Sequence, residues 1–108
     1  MATLNINLQF SGGMELLFDN QKSINVQIPS TFSDKAVEKH ATNMRDLIAW
    51  TAENLVQERP ELFLGNDGSV RSGILVLVND ADWELEGELE YEVQDGDEIV
   101  FISTLHGG

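Results

Sequence analysis

The chain contains no cysteine. That excludes disulfides, zinc–thiolate centres and a cysteine nucleophile on this polypeptide, and it fits a reducing compartment. Basic residues are scarce, with 6 Lys and Arg against 19 acids and a net charge of -13. Phosphate backbones and anionic lipid repel such a chain, so direct binding of nucleic acid or a membrane surface is not expected. No apolar stretch approaches the roughly 20 residues that span a bilayer. The start, Met1-Ala2-Thr3-Leu4, lacks the basic segment and apolar run of a signal peptide. These absences point to a soluble intracellular protein. No P-loop pattern or other ATP-binding motif is present. The two histidines, His40 and His106, have no neighbouring ligand set for a metal.

What the sequence does contain fits one domain of 108 residues, large enough to build a core without staples. Leu4, Ile6, Leu8 and Phe10 alternate with polar residues, the period of a half-buried strand. Ser11-Gly12-Gly13 reads as a turn. Met14 to Phe18 fits either a strand extension or one irregular turn. Ile24, Val26 and Ile28 alternate again, and Pro29 ends that strand. Ser30 to Thr42 is polar and aperiodic, which predicts a loop.

A helix follows. Thr42 or Asn43 can cap it, and Met44, Leu47, Ile48, Thr51 and Leu55 share one face. Pro60 argues against its passing Arg59. Glu61 to Leu64 suggests a short helical turn, and Gly65 to Gly68 a loop. The run Ile74 to Val78 predicts a strand covered on both faces. Trp83, Leu85, Leu89 and Tyr91 are scattered anchors in an acidic segment, Asp95-Gly96-Asp97 is a turn, and Ile99 to Ile102 is the last strand. Hairpin, helix, strand, irregular segment and strand make an α+β domain, with one helix across a mixed sheet and the last strand parallel to the first. That is the element order of the β-grasp fold, with a domain over 1–104 and a flexible tail over 105–108.

Two strands are apolar on both faces, but one helix covers only one side of the sheet. An exposed apolar patch on a small domain marks a partner. The candidates are Leu75 or Leu77 with one phase of the last strand, either Ile99 and Phe101 or Val100 and Ile102. Leu75, Leu77 and Phe101 are taken as the partner surface, unless the loop around Trp83 to Tyr91 folds over it. From Asp80 to Glu98 acids recur nearly every second residue with no Lys or Arg among them. They form either a solvated surface or a field steering a basic partner. Trp83 is read as a packed aromatic, and Lys22, Lys35 and Lys39 as ordinary surface lysines.

The last strand passes without a linker into Leu105-His106-Gly107-Gly108. With Gly at about 7% of residues, two terminal glycines arise by chance in roughly 0.5% of chains. Extended at roughly 3.3 Å per residue, the segment from Thr104 reaches about 13 Å beyond the sheet. A residue without Cβ fits a narrow channel, so the Gly108 carboxylate can enter another protein's active site. A carboxylate is a poor acyl donor until it is activated, and ATP would convert it to an acyl-adenylate. A separate enzyme must perform that step. Gly108 is therefore the reactive residue, Gly107 a steric spacer, and His106 and Leu105 elements of tail recognition. No residue of the chain is assigned as catalytic.

Residues 73–108, above all Asn79-Asp80-Ala81-Asp82-Trp83-Glu84 and Ser103-Thr104-Leu105-His106-Gly107-Gly108, resemble the ubiquitin-related modifier family of eukaryotic sulfur carriers. Gly12 to Phe18 and Glu58 to Phe63 match as well, and only about Thr31 to Thr42 departs, as a longer loop. The resemblance implies that an E1-like enzyme adenylates Gly108 and that a persulfide on its rhodanese-like domain makes a thiocarboxylate. A tRNA thiolase would then use the sulfur for 2-thiouridine at the wobble position of certain tRNAs. The same end would be joined to lysines of target proteins, mainly under oxidative stress. The resemblance also implies a cytoplasmic carrier, with the nucleus open as a second location. Such a carrier is not an enzyme and holds no cofactor or metal, since ATP belongs to the activating enzyme. The alternatives are the small subunit of molybdopterin synthase, a pure ubiquitin-like modifier without a sulfur step, and an interaction domain with an inert tail.

Overall fold

The computed structural model describes residues 2–33, 39–57 and 59–104. The tail residues Leu105, His106, Gly107 and Gly108, together with Lys35, lie outside them. Strand β1 (Thr3–Ser11) pairs antiparallel with β2 (Ser23–Pro29), and a 3₁₀ turn over Met14–Phe18 lies between them. This turn resolves the ambiguity of that segment. Gly12 and Gly13 supply positive φ values of 68° and 101°, so the chain leaves β1 abruptly. Met14, Leu17 and Phe18 then point into the core.

The segment expected to be a loop instead carries a small ribbon. Strand β3 (Thr31–Ser33) pairs antiparallel with β4 (Lys39–Ala41), with Phe32 opposite His40. Its polarity hid it, because a two-stranded ribbon off the main sheet has little apolar face to display.

Helix α1 (Met44–Asn54) begins at a reciprocal cap. The Asp46 N–H donates to Asn43 Oδ1 at 2.9 Å, and the Asn43 N–H donates to Asp46 Oδ2 at 3.1 Å. The same Asp46 Oδ2 lies 2.8 Å from His40 Nε2, tying β4 to the helix. Met44, Leu47, Ile48 and Thr51 are buried and Leu55 partly so, as their spacing predicts. Pro60 opens a 3₁₀ turn over Pro60–Leu62 that drives Phe63 into the core.

Strand β5 (Ile74–Val78) pairs antiparallel with β7 (Glu98–Ser103) and with the two-residue β6 (Ala81–Asp82). β7 lies parallel to β1, giving a five-stranded mixed sheet in the order β2-β1-β7-β5-β6. The core lies between this sheet and α1. At its centre Phe10 stacks on Phe18 at 3.8 Å between ring centroids, and Phe63 meets Phe18 and Phe101 edge-on at 5.6 and 5.3 Å. The two edge-on geometries suit the aromatic quadrupole and are worth about 0.5–1.5 kcal/mol per pair beyond area burial.

Candidate functional site: the root of the tail and the open sheet face

β7 leads to the last four residues of the sequence, so whatever positions β7 positions the point from which they depart. At its start stands Asp97, which is buried. Its carboxylate accepts from the Tyr91 hydroxyl at 2.6 Å, the Gln94 N–H at 2.8 Å and Asn79 Nδ2 at 2.9 Å. Asn79 completes the knot, because its Oδ1 accepts from the Glu98 N–H at 2.9 Å. Three separate stretches of chain thus meet at Asp97 and Glu98, where β7 begins. Burial, and then the hydrogen bond to Asp97, push the Tyr91 hydroxyl pKa well above its ordinary value.

At the far end of β7 the chain is held from two sides. The Thr104 N–H donates to the Gly73 carbonyl at 2.9 Å, and the Thr104 hydroxyl donates to the same oxygen. On the β1 side Gly12 lies flush against the Ser103 backbone, so close that a Cβ there would collide with the Ser103 carbonyl. The strand is therefore fixed as far as Thr104, four residues short of Gly108. Gly12 and Gly73 were not assigned this role from sequence. The available signal was a glycine at a strand end, which equally marks an ordinary turn.

The open face of the sheet meets this root. Leu75 pairs with Ile102 and Leu77 with Val100, and all four side chains lie on the face opposite α1. Leu75 is 48% exposed and the other three are half-buried. The expectation that β5 is covered on both faces is therefore corrected: α1 covers one side only. Phe101 is corrected as well. It is fully buried among Phe10 and Phe63, so it belongs to the core and not to a partner surface. Alternation along β7 leaves the exposed phase to Val100 and Ile102. Leu75 and Leu77 lie on the same open face.

The segment from Trp83 to Tyr91 does not lie over this patch. It is tied to α1 by the Met44 N–H donating to the Tyr91 carbonyl at 2.9 Å and by an Arg45–Glu90 ion pair at 3.2 Å. Trp83 is buried, as expected of a packed aromatic, whereas Leu85 stands almost fully in solvent. Asp80, Asp82, Glu84, Glu86, Glu88, Glu90 and Glu92 are all exposed and run from the β6 edge of the sheet toward the start of α1. Among the described residues no group of three His, Cys, Asp or Glu side chains is arranged to hold a metal ion.

A β-grasp domain with a strand-borne tail root is common ground for several carrier and modifier families. The family model described as Urm1, ubiquitin related modifier, matches residues 5–108. The chain belongs to the ubiquitin-related modifier family. It is 52% identical over 107 residues to ubiquitin-related modifier 1 of Bos taurus, covering 99% of this chain and 98% of that one. The solution structure of Urm1 from Trypanosoma brucei superposes with a TM-score of 0.75 at 40% identity, covering 100% of this chain and 99% of that one. The Amycolatopsis orientalis BexX/CysO complex contains a chain of the same fold, with a TM-score of 0.65 at 19% identity over 95% of this chain and 99% of its own. Family membership agrees with the resemblance carried by the Asn79–Glu84 and Ser103–Gly108 segments. It also makes the chain a small ubiquitin-like modifier protein. No helix among the described residues is long and apolar enough to cross a membrane.

Proposed function

We propose that this family member acts through Gly108 as a sulfur carrier and protein modifier. A separate E1-like enzyme bonds the carboxylate to the α-phosphorus of ATP, with pyrophosphate leaving. The terminal sulfur of a persulfide on that enzyme's rhodanese-like domain then attacks the Gly108 carbonyl carbon and displaces AMP. A second thiol of the enzyme cleaves the resulting acyl disulfide, which leaves a disulfide on the enzyme and a thiocarboxylate on Gly108. A tRNA thiolase takes the sulfur for 2-thiouridine at the wobble position, and lysines of other proteins can receive the same activated end. The carrier itself works in the cytoplasm.

The observation that carries this reading is the root. A terminal acyl group can be handed between active sites only if the domain behind it is held to a fixed point and a short, narrow segment follows. Thr104 on Gly73 supplies the fixed point, and Leu105 to Gly108 supply the segment. Leu75, Leu77, Val100 and Ile102 lie on the strand that bears the tail and on its neighbour, so an enzyme that grips this patch holds the tail at its own entrance. The acidic run Asp80–Glu98 adds a field that draws a basic enzyme surface and keeps the carrier off tRNA.

The test is intact-protein mass spectrometry after incubation with the activating enzyme, ATP and a sulfur donor. The expected product has one oxygen replaced by sulfur at Gly108. A thioester to an enzyme cysteine with no thiocarboxylate would favour a pure modifier, and transfer of sulfur to a pterin precursor would favour a molybdopterin-synthase subunit. Deleting Gly108 should abolish the reaction and leave thermal unfolding unchanged.

A further inference from the structure

The sheet has two edges, and they are built differently. β6 is two residues long and ends in Asp82, a protected edge. β2 is seven residues long and has no charged residue from Ser23 to Pro29. Its register with β1 runs one-to-one from Thr3↔Pro29 to Gln9↔Ser23 without a bulge. Pro29 closes the edge only at its end.

The phase of the ladder shows which groups face outward. The Phe10 N–H donates to the Lys22 carbonyl at 3.0 Å and the Ser30 N–H to the Ala2 carbonyl at 3.2 Å. Antiparallel pairing alternates, so Ile24, Val26 and Ile28 also turn their backbone groups toward β1. Ser23, Asn25 and Gln27 turn theirs away. Among the described residues nothing covers these three N–H and three C=O groups, and all three residues are exposed.

Their side chains end two files of polar groups on the open face. Gln9 Nε2 donates to Glu98 Oε2 and to Asn7 Oδ1, and Asn7 Nδ2 donates to Asn25 Oδ1 at 2.7 Å. Asn25 is left with a free NH₂ donor. In the second file Gln27 Nε2 donates to Asn5 Oδ1, and Asn5 Nδ2 donates to Asp95 Oδ1. Gln27 is left with a free carbonyl acceptor. An open hollow of about 540 Å³ lies over Asn5, Asn7, Asn25, Gln27 and Gly96.

We infer that β2 is a docking edge for an extended segment of a partner protein, which adds to the sheet as a sixth strand. The segment carries hydroxyl or carboxamide side chains at alternate positions, where both a donor and an acceptor are required by Asn25 and Gln27. It carries apolar residues between them to lie beside Ile24 and Val26, and Lys or Arg at its flanks to match the charge of -13. A second copy of this chain brings the same negative charge and is the less suited occupant. This surface lies at the opposite edge of the sheet from β6 and does not include Leu75, Leu77 or the tail root.

The probe is the peptide Lys-Lys-Val-Thr-Val-Asn-Val-Thr-Val-Lys-Lys, titrated into the full-length chain with amide hydrogen exchange read by NMR. In the free protein Ser23, Asn25 and Gln27 should exchange fast and Ile24, Val26 and Ile28 slowly. The peptide should slow Asn25 and Gln27 by about tenfold or more, while the version without lysines binds about tenfold more weakly. Asn25→Pro removes an outward N–H without touching the backbone ladder to β1 and should abolish the protection of Gln27. If that variant fails to fold, a peptide N-methylated along its pairing edge serves the same purpose and should not protect. Protection confined to Glu84–Glu92, or none at all, overturns the proposal. Slowing of Asn25 and Gln27 with protein concentration alone would overturn the choice of occupant in favour of self-pairing.

Discussion

Thr104 brings both its backbone N–H and its hydroxyl to one acceptor, the carbonyl of Gly73. Gly73 immediately precedes β5, and Thr104 is the last described residue before the tail. The pair therefore holds the last described residue of the domain, from which Leu105 to Gly108 follow in the sequence.

The other side of that root rests on Gly12, whose φ of 68° and contact with the Ser103 backbone both exclude a side chain. Gly12→Ala should destabilise the domain by about 1–3 kcal/mol, the range for a strained backbone position. Gly13→Ala, with a φ of 101° but open space around its Cβ, should cost less. Urea unfolding of the two variants checks the order, and faster exchange of the Thr104 amide in Gly12→Ala would place the damage at the root.

Leu75 and Phe101 separate the patch from the core. Leu75→Ser should change stability by no more than about 0.5 kcal/mol, as surface substitutions do. Combined with Ile102→Ser, it should weaken binding to the activating enzyme about tenfold. Phe101→Ala should instead cost about 3–5 kcal/mol through the cavity it leaves. Calorimetric titration against the enzyme alongside thermal melts would show the patch to be irrelevant if the double variant bound normally.

Tyr91 is the only tyrosine, so tyrosinate absorbance reports it alone. Its folded pKa is raised, first by burial and then by the Asp97 carboxylate. The unfolded chain loses this proton near pH 10 while the folded chain keeps it, so above that pH the unfolded state gains. The stability that Tyr91 contributes is complete below about pH 10 and is lost as pH rises toward the folded pKa. Tyr91→Phe should flatten this alkaline decline. Tyrosinate appearing at about pH 10 in the folded protein would contradict the burial and the hydrogen bond.

Asn43 caps α1 and bridges to Glu92 beside the acidic segment. Asn43→Ala should cost about 1 kcal/mol, and Asn43→Gly only a few tenths. If thermal melts found both variants equal to the parent, the cap would be without consequence.

Much of the fold was legible because its signals are local. The alternation of Leu4 to Phe10, the face from Met44 to Thr51 and the break at Pro60 each follow from the period of one element. The Asp95-Gly96-Asp97 turn was legible as a turn, yet its reach to Tyr91 and Asn79 was not, because those partners come together only across the fold. The β3–β4 ribbon was missed because its residues carry no apolar period. The tail itself, Leu105 to Gly108, is the part of the site that the residues alone nominate, and it lies beyond what the structure describes.

The sequence by itself therefore determined the main strands and the helix, with their order, and it excluded cysteine chemistry on this chain, since these rest on local period and composition. Only the tertiary structure decided which apolar residues are core and which are surface. Ile99 to Ile102 is apolar at every position, so no period within it distinguishes the two faces. Placing α1 on one side of the sheet breaks that tie, burying Ile99 and Phe101 and leaving Val100 and Ile102 beside Leu75 and Leu77. The clamp on Thr104 was decided the same way, by strand pairing that brings Gly12 and Gly73 to a point neither marks in the sequence.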